Sequence, residues 1–240
     1  MKRWEFYKYN ILKYLDKNSH ILVIGSSIKE VDLFYKLKYK NVSFGYYNED
    51  LINEVKNLPY YKLYKYLKID CRKINLPDNN FDYVITHATI HHIDLPHLAV
   101  LEMYRVSKIG TLILESNDSL IMRLAVRFGF TEDFEVSSTI NKEKDNTRGG
   151  LIETGVPNYI YRWSEREIIK LINSYKPNIA HDIKFLYAND LSNSAIRLKF
   201  LKKILKKIFS IFLAIFFIFF KKQQNLLSIY INKSGSNKSI

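Results

Sequence analysis

Cysteine occurs once in the 240 residues, at Cys71. A lone thiol excludes an internal disulfide framework and suits a reducing compartment. The N-terminal stretch "MKRWEFYKYNILKYLDK" has no uninterrupted apolar run, so a secretory signal is not expected. No internal repeat is present. Glycine (8) and proline (5) are scarce, whereas Lys, Asn, Ile and Tyr are abundant along the whole chain. That uniform bias accounts for much of the +13 net charge. No finger, RNP-like or helix-turn-helix pattern accompanies the charge, so nucleic acid is not expected as a partner. No metal site is expected either.

What is present is a hydrophobic content of 47%, which excludes wholesale disorder, and a length suited to one sizeable α/β domain. The run "HILVIG" (20–25) is continuous and apolar, as in a strand covered on both faces. Ser27 precedes Glu30 by three residues, a capping-box spacing that opens a helix to about Lys38. Further strands are expected at "NVSFGYY", "YLKID", "FDYVITHA", "GTLILES", "HDIKFLYA" and "LLSIYINK". Between them fall helices over about 50–58, 96–107 (Pro96 in its first turn), 118–129 and 164–175. Ser164 and Glu167 repeat the capping-box spacing. Alternation of this kind predicts a mostly parallel, seven-stranded, doubly wound sheet with helices on both faces. Three regions follow: an α/β domain over 1–190 with a polar lid segment at 131–162, a basic and apolar helical insertion at 191–222, and a final strand and tail at 223–240.

In an open parallel sheet, ligands sit beyond the carboxyl ends of the strands. That nominates Gly25, Ser26 and Ser27, then Tyr47 and Glu49, then Asp70 and Cys71, then His87 and Glu115. The stretch 68–116 carries Asp70, Leu76-Pro77, Phe81-Asp82, Ile90-His91-His92, Glu102 to Arg105-Val106, and Gly110 in that order. In these elements it resembles the central part of class I S-adenosylmethionine-dependent methyltransferases of the type 11 kind, over roughly residues 20–130. The segment "GVPNYIYRWSEREI" resembles relatives found near bacterial cell-surface polysaccharide genes. The resemblance implies a Rossmann-like fold and S-adenosylmethionine as cofactor. It also implies that the first loop wraps the methionine part, that an acid after strand two takes the ribose hydroxyls, and that Asp70 reaches the adenine amino group. The first loop departs from the family's glycine-rich pattern. Only Gly25 remains, followed by Ser26, Ser27, Ile28 and Lys29, and Val23 and Tyr47 stand where acids are expected. Three alternatives stay open: Glu49 takes the ribose, Tyr47 stacks on the adenine, or cofactor binding is lost. Methyl transfer to a hydroxyl is helped by a base. His87, His91 and Glu115 are the candidates, with His92 beside them.

The run "LKFLKKILKKIFSIFLAIFFIFFKK" (198–222) begins as an amphipathic stretch. Leu198, Leu201, Leu205 and Ile208 share one face, and Lys199, Lys202, Lys203, Lys206 and Lys207 cover the other. From Ile208 to Phe220 there is no charge. A helix of that length spans about 20 Å, short of the roughly 30 Å hydrocarbon core. Residues 197–222 are therefore expected to lie on a membrane surface, their basic face on anionic headgroups. With the resemblance, this implies a cytoplasmic methyltransferase, peripheral on or anchored in the inner membrane, with a small-molecule acceptor such as a lipid-linked or cell-surface sugar. The alternative is an inactive binding or scaffold protein of the same fold.

Overall fold

In the computed structural model, residues 1–140, 150–151, 156–190, 213 and 215–233 are described. The chain opens with helix α1 (Arg3–Tyr14) and continues through β1 (Ile21–Ile24), α2 (Ile28–Lys36), β2 (Val42–Tyr46), α3 (Glu49–Val55), β3 (Lys65–Lys68) and β4 (Phe81–His87). Then come α4 (Pro96–Val106), β5 (Ser107–Ser116), α5 (Leu120–Arg127), a short α6 (Val136–Ile140), α7 (Glu165–Tyr175), β6 (Asp182–Ala188) and β7 (Leu226–Asn232). The seven strands form one sheet in the order β3-β2-β1-β4-β5-β7-β6. Strands β1 to β5 pair in parallel, and β7 runs antiparallel to both β5 and β6.

Alternation along the strands sorts the core into two layers. Val23, Phe44, Tyr83, Ile85 and Leu112 pack with Phe6, Tyr7 and Ile11 of α1, Val31 and Phe34 of α2 and Val55 of α3. Leu22, Ile24, Val84 and Ile113 face the other way, onto Val100 and Met103 of α4 and Ile168 and Ile172 of α7. Both expected capping boxes form: Ser27 and Glu30 start α2, and Ser164 and Glu167 start α7. Pro96 stands in the first turn of α4. Its missing N–H costs nothing there.

The doubly wound sheet expected from the sequence is therefore the observed architecture. Most of the expected insertion, 191–212 and 214, lies outside the described residues, as do 141–149 and 152–155 of the lid segment. Residues 215–219 are helical. Among the described residues, no helix is long and apolar enough to cross a membrane.

Candidate active site

Strand order reverses between β1 and β4, so the carboxyl ends of these two strands flank the crevice where an open α/β sheet takes its ligand. Gly25 closes β1 in a left-handed conformation (φ +70°), which favours glycine. Its second requirement is space. A Cβ built on Gly25 would lie 2.0 Å from Thr89 Cγ2, because the Thr89 side chain stands directly over the turn. Thr89 Oγ1 lies 3.2 Å from the Gly25 carbonyl and 3.0 Å from the His87 carbonyl and donates into that pair.

The two serines of the first loop serve the loop itself. Ser26 is buried and its hydroxyl donates to the Val23 carbonyl at 3.2 Å. Ser27 caps α2, its hydroxyl accepting from Lys29 N and donating to Glu30. Lys29 is exposed to solvent. Glu30 is itself buried, and its other oxygen meets His87 Nδ1 at 3.0 Å. His87 is stacked on Tyr7 at 4.5 Å between ring centres, with Trp4 edge-on at 4.8 Å. The last residue of β4 thus turns its imidazole under α1. His87 and His91 are not brought together.

Past the end of β2, Tyr47 is half-buried and Glu49 is exposed in the first turn of α3. Asp70 follows β3. Its carboxylate accepts from Arg72 N, Nε and one terminal nitrogen, the last at 2.7 Å. The Arg72 hydrogen bonds hold Asp70 below the usual carboxylate range. Arg72 also reaches Asp94 and lies 5.9 Å over the Tyr47 ring. Cys71 is buried, and burial pushes its thiol up to about 12, so it contributes a neutral wall and not a nucleophile.

Beyond the crevice, on the α4 side, lies a second group. Glu115, on the penultimate position of β5, has a fully buried side chain. It accepts from Thr89 N at 2.8 Å, Ile90 N at 2.9 Å and His91 Nδ1 at 2.6 Å. An ionised carboxylate only accepts, so His91 carries its proton on Nδ1 and turns Nε2 outward. Burial alone would raise the Glu115 pKa, but the charge and hydrogen bond of His91 outweigh it and the net shift is downward. For His91 burial pulls the other way and is overcome by Glu115 and Glu135, leaving its pKa raised to about 9. Glu135 comes from the 131–162 segment. Asn158, from the same segment, donates to the His91 carbonyl at 2.8 Å and fixes the 90–92 turn from outside.

Sequence reasoning placed Gly25, Ser26, Asp70, Cys71 and Glu115 at the strand ends, where the structure has them, and named His91 as a separate candidate base; the structure joins His91 to Glu115. It missed Thr89, Glu135 and Asn158, none of which carries a local pattern. Other motif residues are structural. The Arg105 guanidinium ties Glu102, the Ile74 and Leu76 carbonyls and Asp78 into one clamp, and Asp82 accepts from His20 N.

Comparison with known proteins agrees with this architecture. Residues 38–114 match the family model described as a methyltransferase domain. An S-adenosylmethionine-dependent methyltransferase of Archaeoglobus fulgidus is 15% identical, covers 95% of this chain and 94% of its own, and superposes with a TM-score of 0.55. The YcgJ protein of Bacillus subtilis is 13% identical, with 95% and 98% coverage and a TM-score of 0.58. A protein of Pyrococcus horikoshii is 15% identical, with 97% and 90% coverage and a TM-score of 0.58. No curated protein matches. The chain has the class I methyltransferase fold, and its central segment matches the methyltransferase domain. Together these imply S-adenosylmethionine as the cofactor.

The crevice fits that cofactor on one condition. The Gly25 and His87 carbonyls converge on a single donor, a suitable acceptor pair for a cationic amino group, and Asp70 supplies a partly exposed carboxylate. The condition is that the Thr89 side chain, which now holds the carbonyl pair, turns aside.

Proposed function

We propose that the chain transfers a methyl group from S-adenosylmethionine to a small-molecule acceptor. Gly25, Ser26 and Ser27 hold the methionine part, with Tyr47, Glu49, Asp70 and Cys71 along the adenosine. The acceptor meets His91, which Glu115 orients from behind. The observation that carries this reading is that pair: a carboxylate and an imidazole desolvated together at the strand ends of a methyltransferase fold. Burying two ionisable groups is expensive, packing alone does not need them, and such pairs gather at functional sites.

A lipid-linked or cell-surface sugar is the acceptor class we favour, met at a membrane surface. Supporting this, Ile215, Ile218, Phe219 and Phe220 are exposed beside Lys221 and Lys222. This segment abuts α5, whose Leu120, Leu124 and Phe128 are also exposed, through Gln223 hydrogen bonds to Ser119 and Ile121. An apolar patch with a basic rim suits an anionic bilayer. Flotation with anionic vesicles tests it: Phe219→Glu with Ile218→Glu should abolish binding that the unaltered chain shows, and equal flotation of both would end the membrane reading.

Calorimetric titration with S-adenosylmethionine and S-adenosylhomocysteine tests the reaction class. Micromolar binding weakened in Asp70→Ala is expected. No binding at millimolar ligand, in a protein shown to be folded, would favour the second reading, a non-catalytic binding module of the same fold. The observation on that side is Thr89 standing over the single remaining glycine.

A further inference from the structure

His91, which the proposed reaction sets against the acceptor, also belongs to a second cluster on the α4 side of the strand ends. One nitrogen each of His91 and His92 and the Glu135 carboxylate lie within 4.8 Å of one another. His91 Nε2 is 3.6 Å from Glu135 Oε1, and His92 Nδ1 is 3.5 Å from Glu135 Oε2. Both separations are too long for good hydrogen bonds. They are close to the edge of a tetrahedron of ligands, about 3.4 Å when each ligand sits roughly 2.1 Å from a central ion. His92 Nδ1 is buried and has no hydrogen-bond partner.

We propose that His91, His92 and Glu135 form a zinc-type divalent cation site that joins the 131–140 segment to the turn after β4. The ligand chemistry selects the metal class: two imidazoles and one carboxylate suit zinc-like ions, whereas calcium and magnesium take oxygen ligands. Glu115 completes the arrangement from behind. By accepting the Nδ1 proton of His91 it orients the ring and leaves Nε2 as the metal-binding atom, the usual support for a metal-bound imidazole. Asn158 holds the His91 backbone from the outer side. Among the described residues no fourth protein ligand joins the three. The His92 and Glu135 side chains keep about a fifth of their surface exposed, so a water or an acceptor oxygen can complete the shell. The site stands on these residues alone, whether or not S-adenosylmethionine binds.

The test uses the full chain, stripped with chelator and titrated with zinc against a chromophoric competitor, and separately with cobalt(II) read by visible absorption. One ion per chain is expected, with the intense visible bands of a tetrahedral cobalt site and a thermal midpoint that rises with zinc. His92→Ala and Glu135→Gln should each weaken binding by about 100-fold or more, and Glu115→Gln, behind the ligands, by about 10- to 100-fold. Should one variant misfold, Glu135→Gln decides, because Glu135 lies outside the sheet and its helices. Failure to bind at millimolar zinc, or binding that neither ligand substitution changes, would overturn the proposal. The latter result would place the ion elsewhere on the chain.

Discussion

Substitution of Gly25 by alanine probes the contact on which the crevice turns. Two costs are separable. A non-glycine residue at φ +70° pays about 1–2 kcal/mol for left-handed backbone. The new methyl also falls 2.0 Å from Thr89 Cγ2 and 2.7 Å from Thr89 Cβ, too near the main chain for a rotamer change to relieve. Overpacking of this kind costs about 1–3 kcal/mol. Gly25→Ala should therefore destabilise by about 2–5 kcal/mol, a large share of a typical domain's 5–15. Thr89→Gly removes the obstruction and leaves the backbone term. In that background Gly25→Ala should cost only about 1–2 kcal/mol, giving a coupling of about 1–3 between the sites. Urea unfolding of the four proteins, read by tryptophan fluorescence and circular dichroism, measures the cycle. A coupling below about 0.5 kcal/mol would refute the reasoning, since the two costs would not share Thr89.

Other consequences are as direct. Arg105→Lys should lose about 2 kcal/mol in urea unfolding, because a lysine cannot replace the fork that serves Glu102 and the Ile74 and Leu76 carbonyls together. An unchanged midpoint would show the clamp to be idle. Lys233 gives a pH signature. Its ammonium is drawn among the Asn79 side chain and the Tyr104 and Ser107 carbonyls, and burial pulls its pKa down to about 8. In the unfolded chain it titrates near 10.4. Between these values the unfolded state binds more protons, so this group's contribution to stability rises with pH. The stability of wild type relative to Lys233→Met should increase from pH 8 to pH 10 and be flat below 7. A flat difference throughout would contradict the assigned burial.

The sheet was legible because its inner strands β1, β2, β4, β5 and β7 are largely buried on both faces and so read as short apolar runs between capping signals. "HILVIG" and "FDYVITHA" became β1 and β4 almost unchanged. Strand β5 begins earlier than "GTLILES" suggests. Ser107 already pairs with Phe81 across an irregular step before Tyr83, and the polar "SK" conceals that pairing. The site was only half legible. Asp70 and Glu115 sit at strand ends and were found by that rule, whereas His91, four residues past the end of β4, was named only as a candidate base. The direction of His87 was not legible: alternation sets it with Tyr83 and Ile85, but nothing local says which face α1 covers. Thr89 over Gly25 and Glu135 against His91 are contacts between residues 64 and 44 positions apart, made by packing of separate segments. No spacing encodes them.

Glu115 joins the two halves of the site. Its oxygens take the backbone N–H groups of Thr89 and Ile90 as well as His91 Nδ1. The same carboxylate therefore fixes the main chain that carries the Thr89 side chain into the crevice and the imidazole that faces Glu135. With the Thr89 backbone anchored, opening the crevice needs only a rotation of its side chain, and the Gly25 and His87 carbonyls stay in place to receive a new donor. Glu115→Gln keeps the shape but replaces one accepting oxygen by an NH2 group, which must face at least one of three donors. The turn at 89–91 should then shift as a unit. In that variant both S-adenosylmethionine affinity and zinc affinity should fall, by about tenfold or more for zinc, whereas His92→Ala should lower zinc affinity alone. Calorimetry of both ligands on both variants reads this directly. Loss of zinc affinity with unaltered cofactor affinity in Glu115→Gln would show that the crevice is held by Thr89 and Gly25 without help from the buried carboxylate.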